Sequence, residues 1–316
     1  MARADIVVVG GINHDYFVRG ARLPGPGETL AGESFHEGPG GKGANQAVGV
    51  ARLGARVALV SRLGADTRGD ALHAALVEAG VDAAHVARDH ERSTGVALIA
   101  VDRSGEKQII TAPGANQALS EADIDGAKAI IAFARVLVVG LEVPLAAAVA
   151  ALRLAKAAGA RTILDPAPPV PLSEETLRLV DVIRPNAAEA EALTNVRVVD
   201  ARSAAQCGRV LLARGVGAAI IQAGDDGDLV ATSEEQHLLP LHAVSRVDAT
   251  GAGDAFVAGL AFALAEGRSL VDAAAFGSAA AAFSTTRHGA QAGLPRREDL
   301  SPLLAERIAP VSSVSL

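Results

Sequence analysis

Short runs of Val and Ile that carry almost no polar residue alternate in this chain with longer Ala/Leu segments of helical period. The runs are Ile6–Val9, Val57–Val60, Val136–Val139, Thr162–Leu164, Val182–Ile183 and Ala218–Ile221. Between them lie helical stretches at Ala44–Leu53, Gly69–Ala79, Leu145–Ala158, Glu174–Leu179, Ala187–Leu193 and Ala201–Arg214. A strand that is apolar on both faces must be covered on both faces. The pattern therefore predicts an α/β fold, a three-layer sandwich with a central, mostly parallel sheet between helices.

Two regions break the rhythm. One is Asn13–Gly38, rich in Gly, Pro and charge; the other is Ser93–Thr111, where VALIAV and KQIIT flank DRSGE as in a hairpin. These segments, about 13–40 and 93–113, are expected to form a small β-lid over the C-terminal edge of the sheet. Residues 1–316 are expected to form one domain that carries this lid, ending in Ala-rich helices at Gly253–Ala265 and Leu270–Ala282.

Composition narrows the function. Half of the 316 residues are hydrophobic but only 3% are aromatic and none is Trp, so the core must be built from Ala, Val, Leu and Ile. The formal net charge of −7, with no Lys/Arg-rich run, argues against nucleic-acid partners. Phosphate sites use local N–H groups and metal ions, so the overall charge does not exclude a phosphorylated ligand. A lone cysteine, Cys207, rules out an internal disulfide or a cysteine metal site and fits a reducing, cytoplasmic compartment. The apolar run behind Asp5 is too short for a signal-peptide core. The apolar region Ala127–Ala158 is interrupted by Arg135, Glu142 and Pro144, short of the ~20 residues a membrane helix needs.

The strongest chemical signal is Asp248-Ala-Thr-Gly-Ala-Gly-Asp254 at the start of a helix. Gly251, Ala252 and Gly253 have little or no side chain, so backbone can approach a ligand where free N–H groups favour an anion. Asp254 in the first turn would repel a bound phosphate, but it suits a base that takes a proton from a hydroxyl attacking phosphorus. The plainer alternative is a helix-capping acid.

A second Gly-rich stretch, Gly38-Pro-Gly-Gly-Lys-Gly-Ala-Asn45, contains a G-x-G-x-x-G match. It lacks the preceding apolar strand of a dinucleotide fold, and Lys42 is followed by Gly43 rather than the Ser or Thr of a Walker A loop. It reads as a turn that starts a helix and offers Gly41, Lys42 and Asn45 to a polar ligand. Asn13, Asp15 and Glu142 each follow a strand, where open parallel sheets bind ligands, and offer the donors and acceptors sugar hydroxyls need. Arg184-Pro-Asn186-Ala-Ala-Glu189 sits at a strand-to-helix junction. Asn186 and Glu189 there could order Mg²⁺ through water or simply form a capping box. His14, His36 and His288 are scattered without metal-ligand spacing, and no G-x-S-x-G elbow occurs.

Taken together these residues resemble the ribokinase family of sugar kinases, the PfkB group, over nearly the whole chain. GGKGANQAV at 40–48 and DATGAGDAF at 248–256 match its two signatures. The resemblance implies a ribokinase-like fold with a β-lid, lids that pair in a homodimer, and transfer of the ATP γ-phosphoryl group to a furanose hydroxyl, D-ribose giving ribose 5-phosphate. It implies that Asn13, Asp15, Gly41, Lys42, Asn45 and Glu142 bind sugar. Asp254 would be the base, and the amides of Gly251–Gly253 the anion hole. Asn186, Gln222, Gly224, Gly227 and Ser278 would bind nucleotide, and Asn186 and Glu189 would order Mg²⁺. Asp248, Thr250, Ser284, Arg287 and Gly289 would hold a monovalent cation, K⁺.

The chain departs from the family in its nucleotide loop, where Gln222, Asp225, Asp226 and Asp228 replace a Thr and a Leu-Gly pair, and near Gly293, where a hydroxyl is missing. The alternatives kept open are another acceptor (fructose, a ketodeoxy sugar acid, a nucleoside) and a non-catalytic sugar or nucleotide sensor.

Overall fold

The computed structural model describes residues 4–305 and 311–312. In chain order the strands are β1 (Ile6–Val9), β2 (Asn13–Arg19), β3 (Ser34–Gly40), β4 (Val57–Gly64), β5 (Asp82–Asp89), β6 (Gly95–Val101) and β7 (Lys107–Ala112). They continue with β8 (Val136–Gly140), β9 (Arg161–Asp165), β10 (Val182–Ile183), β11 (Ala218–Gln222), β12 (Asp228–Ala231), β13 (Gln236–Leu239) and β14 (Val311–Ser312).

One sheet has the order β14-β13-β12-β11-β10-β9-β8-β1-β4-β5. From β11 to β5 every pairing is parallel, and β12, β13 and β14 are added antiparallel at one edge. In β1, Ile6 and Val8 belong to one core cluster and Val7 and Val9 to the other. Both faces are covered: Lys42–Arg52, Thr67–Glu78, Ala252–Ala265 and Leu270–Ser284 lie on the first side, Leu145–Ala157 and Ala201–Ala213 on the second. That is the three-layer sandwich its unbroken Val/Ile runs call for.

The pattern missed β5, β12 and β13. β5 is an edge strand of sequence DAAHVARD; half of it faces water, so polar residues hide its period. The long apolar region splits into a helix at Lys128–Phe133, strand β8 and a helix at Leu145–Ala157, and among the described residues no helix is long and apolar enough to cross a membrane. Cys207 is fully buried in the second core cluster.

A separate four-stranded sheet, β3-β2-β6-β7, stands on the C-terminal edge of the first. β2 pairs antiparallel with β3 and parallel with β6, and β6 and β7 form a hairpin. Alternation separates the two faces of β2 and β6, while β7 at the edge is exposed on both. Phe17, Ala97, Ile99 and Val101 pack together on one face, while Val18, Phe35, Leu98 and Ile110 lie exposed on the other.

The turn after β1 is pressed against the start of the Lys42–Arg52 helix. A Cβ at Gly43 would sit 2.5 Å from the Gly10 carbonyl carbon, and one at Gly10 would sit 2.8 Å from the Gly43 Cα. Both obstacles are backbone, so neither can rotate away. Gly43→Ala is expected to destabilise the protein by about 1–3 kcal/mol, read as a fall in thermal midpoint; an unchanged midpoint would contradict this contact.

Candidate active site

Most helices of this protein carry a side-chain cap: Asp66, Ser120, Ser173, Asn186, Asp200 and Ser269 each accept a bond from an N-terminal amide. The helices at Lys128–Phe133 and Leu145–Ala157 do not, and neither do two that begin at the cleft. Lys42–Arg52 starts behind Gly41 (φ 86°) and Ala252–Ala265 behind Gly251 (φ 79°), neither with a side-chain cap. Positive φ and bare Cα explain the glycines. A Cβ at 41 would strike Asn13 N at 2.6 Å, and one at 251 would strike Ala290 Cα at 2.8 Å. The Ala252 amide turns back to Ala249 O at 3.2 Å. Among the described residues the Gly251 and Gly253 amides have no protein acceptor. They form a cluster of free donors beside Asp254.

Asp254 is buried and held from the other helix. Asn45 Nδ2 donates to its Oδ2 at 2.8 Å and Gln46 Nε2 to its Oδ1 at 3.3 Å. Gln46 Nε2 also donates to Asp165 Oδ2 at 2.7 Å, and the Lys42 ammonium lies 3.4 Å from that oxygen. The Lys42 amide donates to Glu142 Oε2 at 2.7 Å. Burial pushes the Asp254 carboxyl above the usual range, the Asp165 charge adds to it, and Lys42, Asn45 and Gln46 oppose it. Burial likewise lifts Glu142 to about 7, against the Lys42 amide and ammonium. Burial disfavours the Lys42 charge, but Asp165, Asp254, Glu189 and Glu142 outweigh it and hold the ammonium above its ordinary range.

At the mouth of the second sheet, Asn116 grips the chain just before Asp15. It accepts from Ile12 N and donates to Ile12 O and to Asn13 Oδ1, each at 2.9 Å. Asp15 is buried beneath Gly40, where a Cβ would collide with its carboxylate. Its Oδ1 is buried without a partner, an acceptor left unused. Burial and the Asp254 charge lift Asp15 to about 7.

On the opposite side a cleft of about 460 Å³ is lined by Lys42, Asn186, Glu189, Gln222, Gly224 and Ser278 among others. Asn186 and Glu189 form the reciprocal capping box: Asn186 N donates to Glu189 Oε2 at 2.8 Å and Glu189 N to Asn186 Oδ1 at 2.9 Å. This leaves Glu189 a second oxygen beside the cleft, a donor set that fits a hydrated Mg²⁺ rather than direct ligation. Among the described residues no cluster of His, Cys, Asp or Glu could cage a metal. The acids of the nucleotide loop are largely spoken for. Asp226 accepts from Ala201 N at 2.8 Å, and buried Asp228 lies 3.6 Å from Arg184 and 3.4 Å from Ser278 Oγ. Gly227 (φ 114°) leaves no room for a Cβ against Leu239 O.

The Asp248 loop is knotted onto itself. Asp248 Oδ1 accepts from Thr250 N (2.9 Å) and Thr250 Oγ1 (2.6 Å), and Oδ2 from Gly289 N (3.1 Å). The Ser284 and Gly289 carbonyls both face Gly293, and the Arg287 guanidinium lies over the Phe283 ring at 4.6 Å. These hard oxygens suit K⁺. However, Lys107 from β7 already reaches Asp248 at 3.2 Å and also bonds the Thr250 hydroxyl.

Sequence reasoning missed Asp165, Gln46, Asn116 and Arg184 as site residues. Asp165 ends a parallel strand just as the strand-end rule requires, so that signal was present. The other three take their meaning from partners far along the chain.

Comparison with known proteins adds to this geometry. Residues 3–297 match the family described as pfkB family carbohydrate kinase. A ribokinase of Haemophilus influenzae is 40% identical over 297 residues, covering 94% of this chain and 97% of that protein. A ribokinase of Staphylococcus aureus is 34% identical over 298 residues, covering 94% and 98%. The structure of Arabidopsis thaliana ribokinase complexed with ribose and ATP superposes with a TM-score of 0.88 at 31% identity, covering 96% of this chain and 99% of that one. With both signatures in place at the cleft and the match running almost end to end, the chain belongs to the pfkB family of carbohydrate kinases.

Proposed function

We propose that this chain transfers the γ-phosphoryl group of ATP to the primary hydroxyl of D-ribose, giving ribose 5-phosphate and ADP. The observation that carries the reading is the Asp254 carboxylate, fixed by the Asn45 and Gln46 amides next to the free amides of Gly251 and Gly253. A base beside an anion hole is what in-line attack of a hydroxyl on phosphorus needs. The full-length similarity to ribokinases, and a neighbour whose structure holds ribose and ATP, support the choice of sugar and donor.

Asp15 with its idle Oδ1, Asn13, Glu142 and the 41–45 turn would grip the sugar hydroxyls. Asp254 takes the proton of the attacking hydroxyl. The new O–P bond forms as the bond to the ADP oxygen breaks, and the Gly251 and Gly253 amides receive the charge on the transferring oxygens. A bound Mg²⁺ would be held through water by Asn186 and Glu189 and would neutralise phosphate charge. K⁺ would sit among the Asp248, Thr250, Ser284, Arg287 and Gly289 oxygens and steady the loop beside the anion hole. The second sheet, as a β-lid, would keep water from competing as acceptor. Its exposed outer row of Val18, Phe35, Leu98 and Ile110 would pair with the same row of a second copy, making a homodimer. Two flat apolar faces related by a two-fold axis are self-complementary. A cytoplasmic setting agrees with one buried thiol and an ATP donor.

Asp254→Asn should retain ATP binding by calorimetry while ADP release falls about 10²–10⁴-fold; near-normal turnover would remove Asp254 from the chemistry. Asp15 and Glu142 titrate near 7 and take up protons as pH falls, losing acceptors for sugar hydroxyls. The KM for ribose should therefore rise about tenfold from pH 8 to pH 6, and less so in Asp15→Asn; a flat KM would oppose the assignment. Leu98→Asp with Ile110→Asp should give a monomer in sedimentation where the parent is a dimer. A monomeric parent would defeat the pairing.

A further inference from the structure

Arg184 is buried in the nucleotide cleft with its Nε unpartnered. It ends β10, is 8% exposed, and lines the cleft together with Gly253, Gly224 and Ser278. Its guanidinium lies over the Phe256 ring at 4.5 Å. Its Nη2 is 3.6 Å from Asp228 Oδ1, too far for a hydrogen bond, and its Nε has no partner. Its Nη1 would be 3.3 Å from a Cβ at position 253. With Nε buried and unpartnered and no hydrogen bond made by either Nη among the described residues, the guanidinium keeps donors for an anion beside the free amides of the anion hole.

From this we infer that Arg184 binds the polyphosphate of the nucleotide donor at its transferring end, with Asp228 and the Phe256 ring holding the guanidinium in place. The inference rests on the phosphotransfer reading above and adds a residue to it. The charge distribution requires such a group. Lys42 is engaged by the carboxylates around Asp165, so it is a poor partner for developing charge on phosphoryl oxygens. A planar guanidinium matches two phosphate oxygens at once. The proposal also accounts for two sequence oddities. Asp228, an acid in the nucleotide loop, sits against the arginine and Ser278, and position 253 lacks a side chain where the guanidinium approaches.

The test compares ATP and AMP binding by calorimetry, with turnover, in Arg184→Met, Arg184→Lys and the double variant Arg184→Met/Asp228→Asn. The double variant removes both charges, so it is expected to melt near the parent and separates folding from binding. Arg184→Met and the double variant should weaken ATP by roughly 10- to 100-fold while AMP changes little. Arg184→Lys should recover part of that loss. A double variant that binds ATP as tightly as the parent would overturn the assignment, as would equal losses for ATP and AMP. A parent that binds ATP but transfers no phosphate would strike the kinase reading alone, since the ATP-to-AMP ratio still judges Arg184.

Discussion

One ammonium group stands among the carboxylates of this cleft. Lys42 lies beside Asp165 and within the field of Asp254, Glu189 and Glu142. Buried like charges are expensive, and a single cation cannot satisfy them all. The remainder is met by amide donors: Asn45 and Gln46 to Asp254, Gln46 to Asp165, and the Lys42 backbone to Glu142. The result is a pocket rich in fixed acceptors around Lys42 and with free donors at the Gly251–Gly253 helix start. Hydroxyls and phosphate are the complementary ligands, and the lid, sheet and loops are arranged around that division.

The start of the Asp254 helix shows one end of that division. Where a helix serves only the fold, as at Asp66, Asp200 or Ser269, a side chain spends the N-terminal amides internally. At the Asp254 helix glycine replaces the cap and the Gly251 and Gly253 donors stay available. Asp226 shows the reverse substitution: an acid that looks hostile to polyphosphate in the sequence is spent on the Ala201 amide instead.

How far the sequence could be read follows from the range of the interactions. The parallel sheet was legible because a fully buried strand has no polar position, and Ile6–Val9 or Val136–Gly140 state that locally. The two glycine-rich helix starts were legible because positive φ and close backbone contact restrict the residue type on the spot. Asn116 and Gln46 were not, because their partners lie 104 and 119 residues away. Arg184 was quoted only as part of a junction motif; its role depends on Asp228, Phe256 and Gly253 meeting it in space. β5 escaped because an edge strand shows water one of its sides.

Asn116 ties together the two places where the small sheet leaves the large domain. One amide spans Ile12 and Asn13 on the outgoing strand, and the residue itself follows the returning one, three positions after Pro113. The pivot of any rocking motion is therefore built from the same few atoms that set the angle of Asn13 and Asp15. With Asn13 and Asp15 holding the sugar as proposed, recognition and closure would draw on a single free-energy difference: whatever fits those side chains would also bias the small sheet towards closing. On that proposal a molecule lacking the right hydroxyls would be discriminated against twice by one defect, and damage at this joint would look to the kineticist like a fault in selectivity rather than in motion.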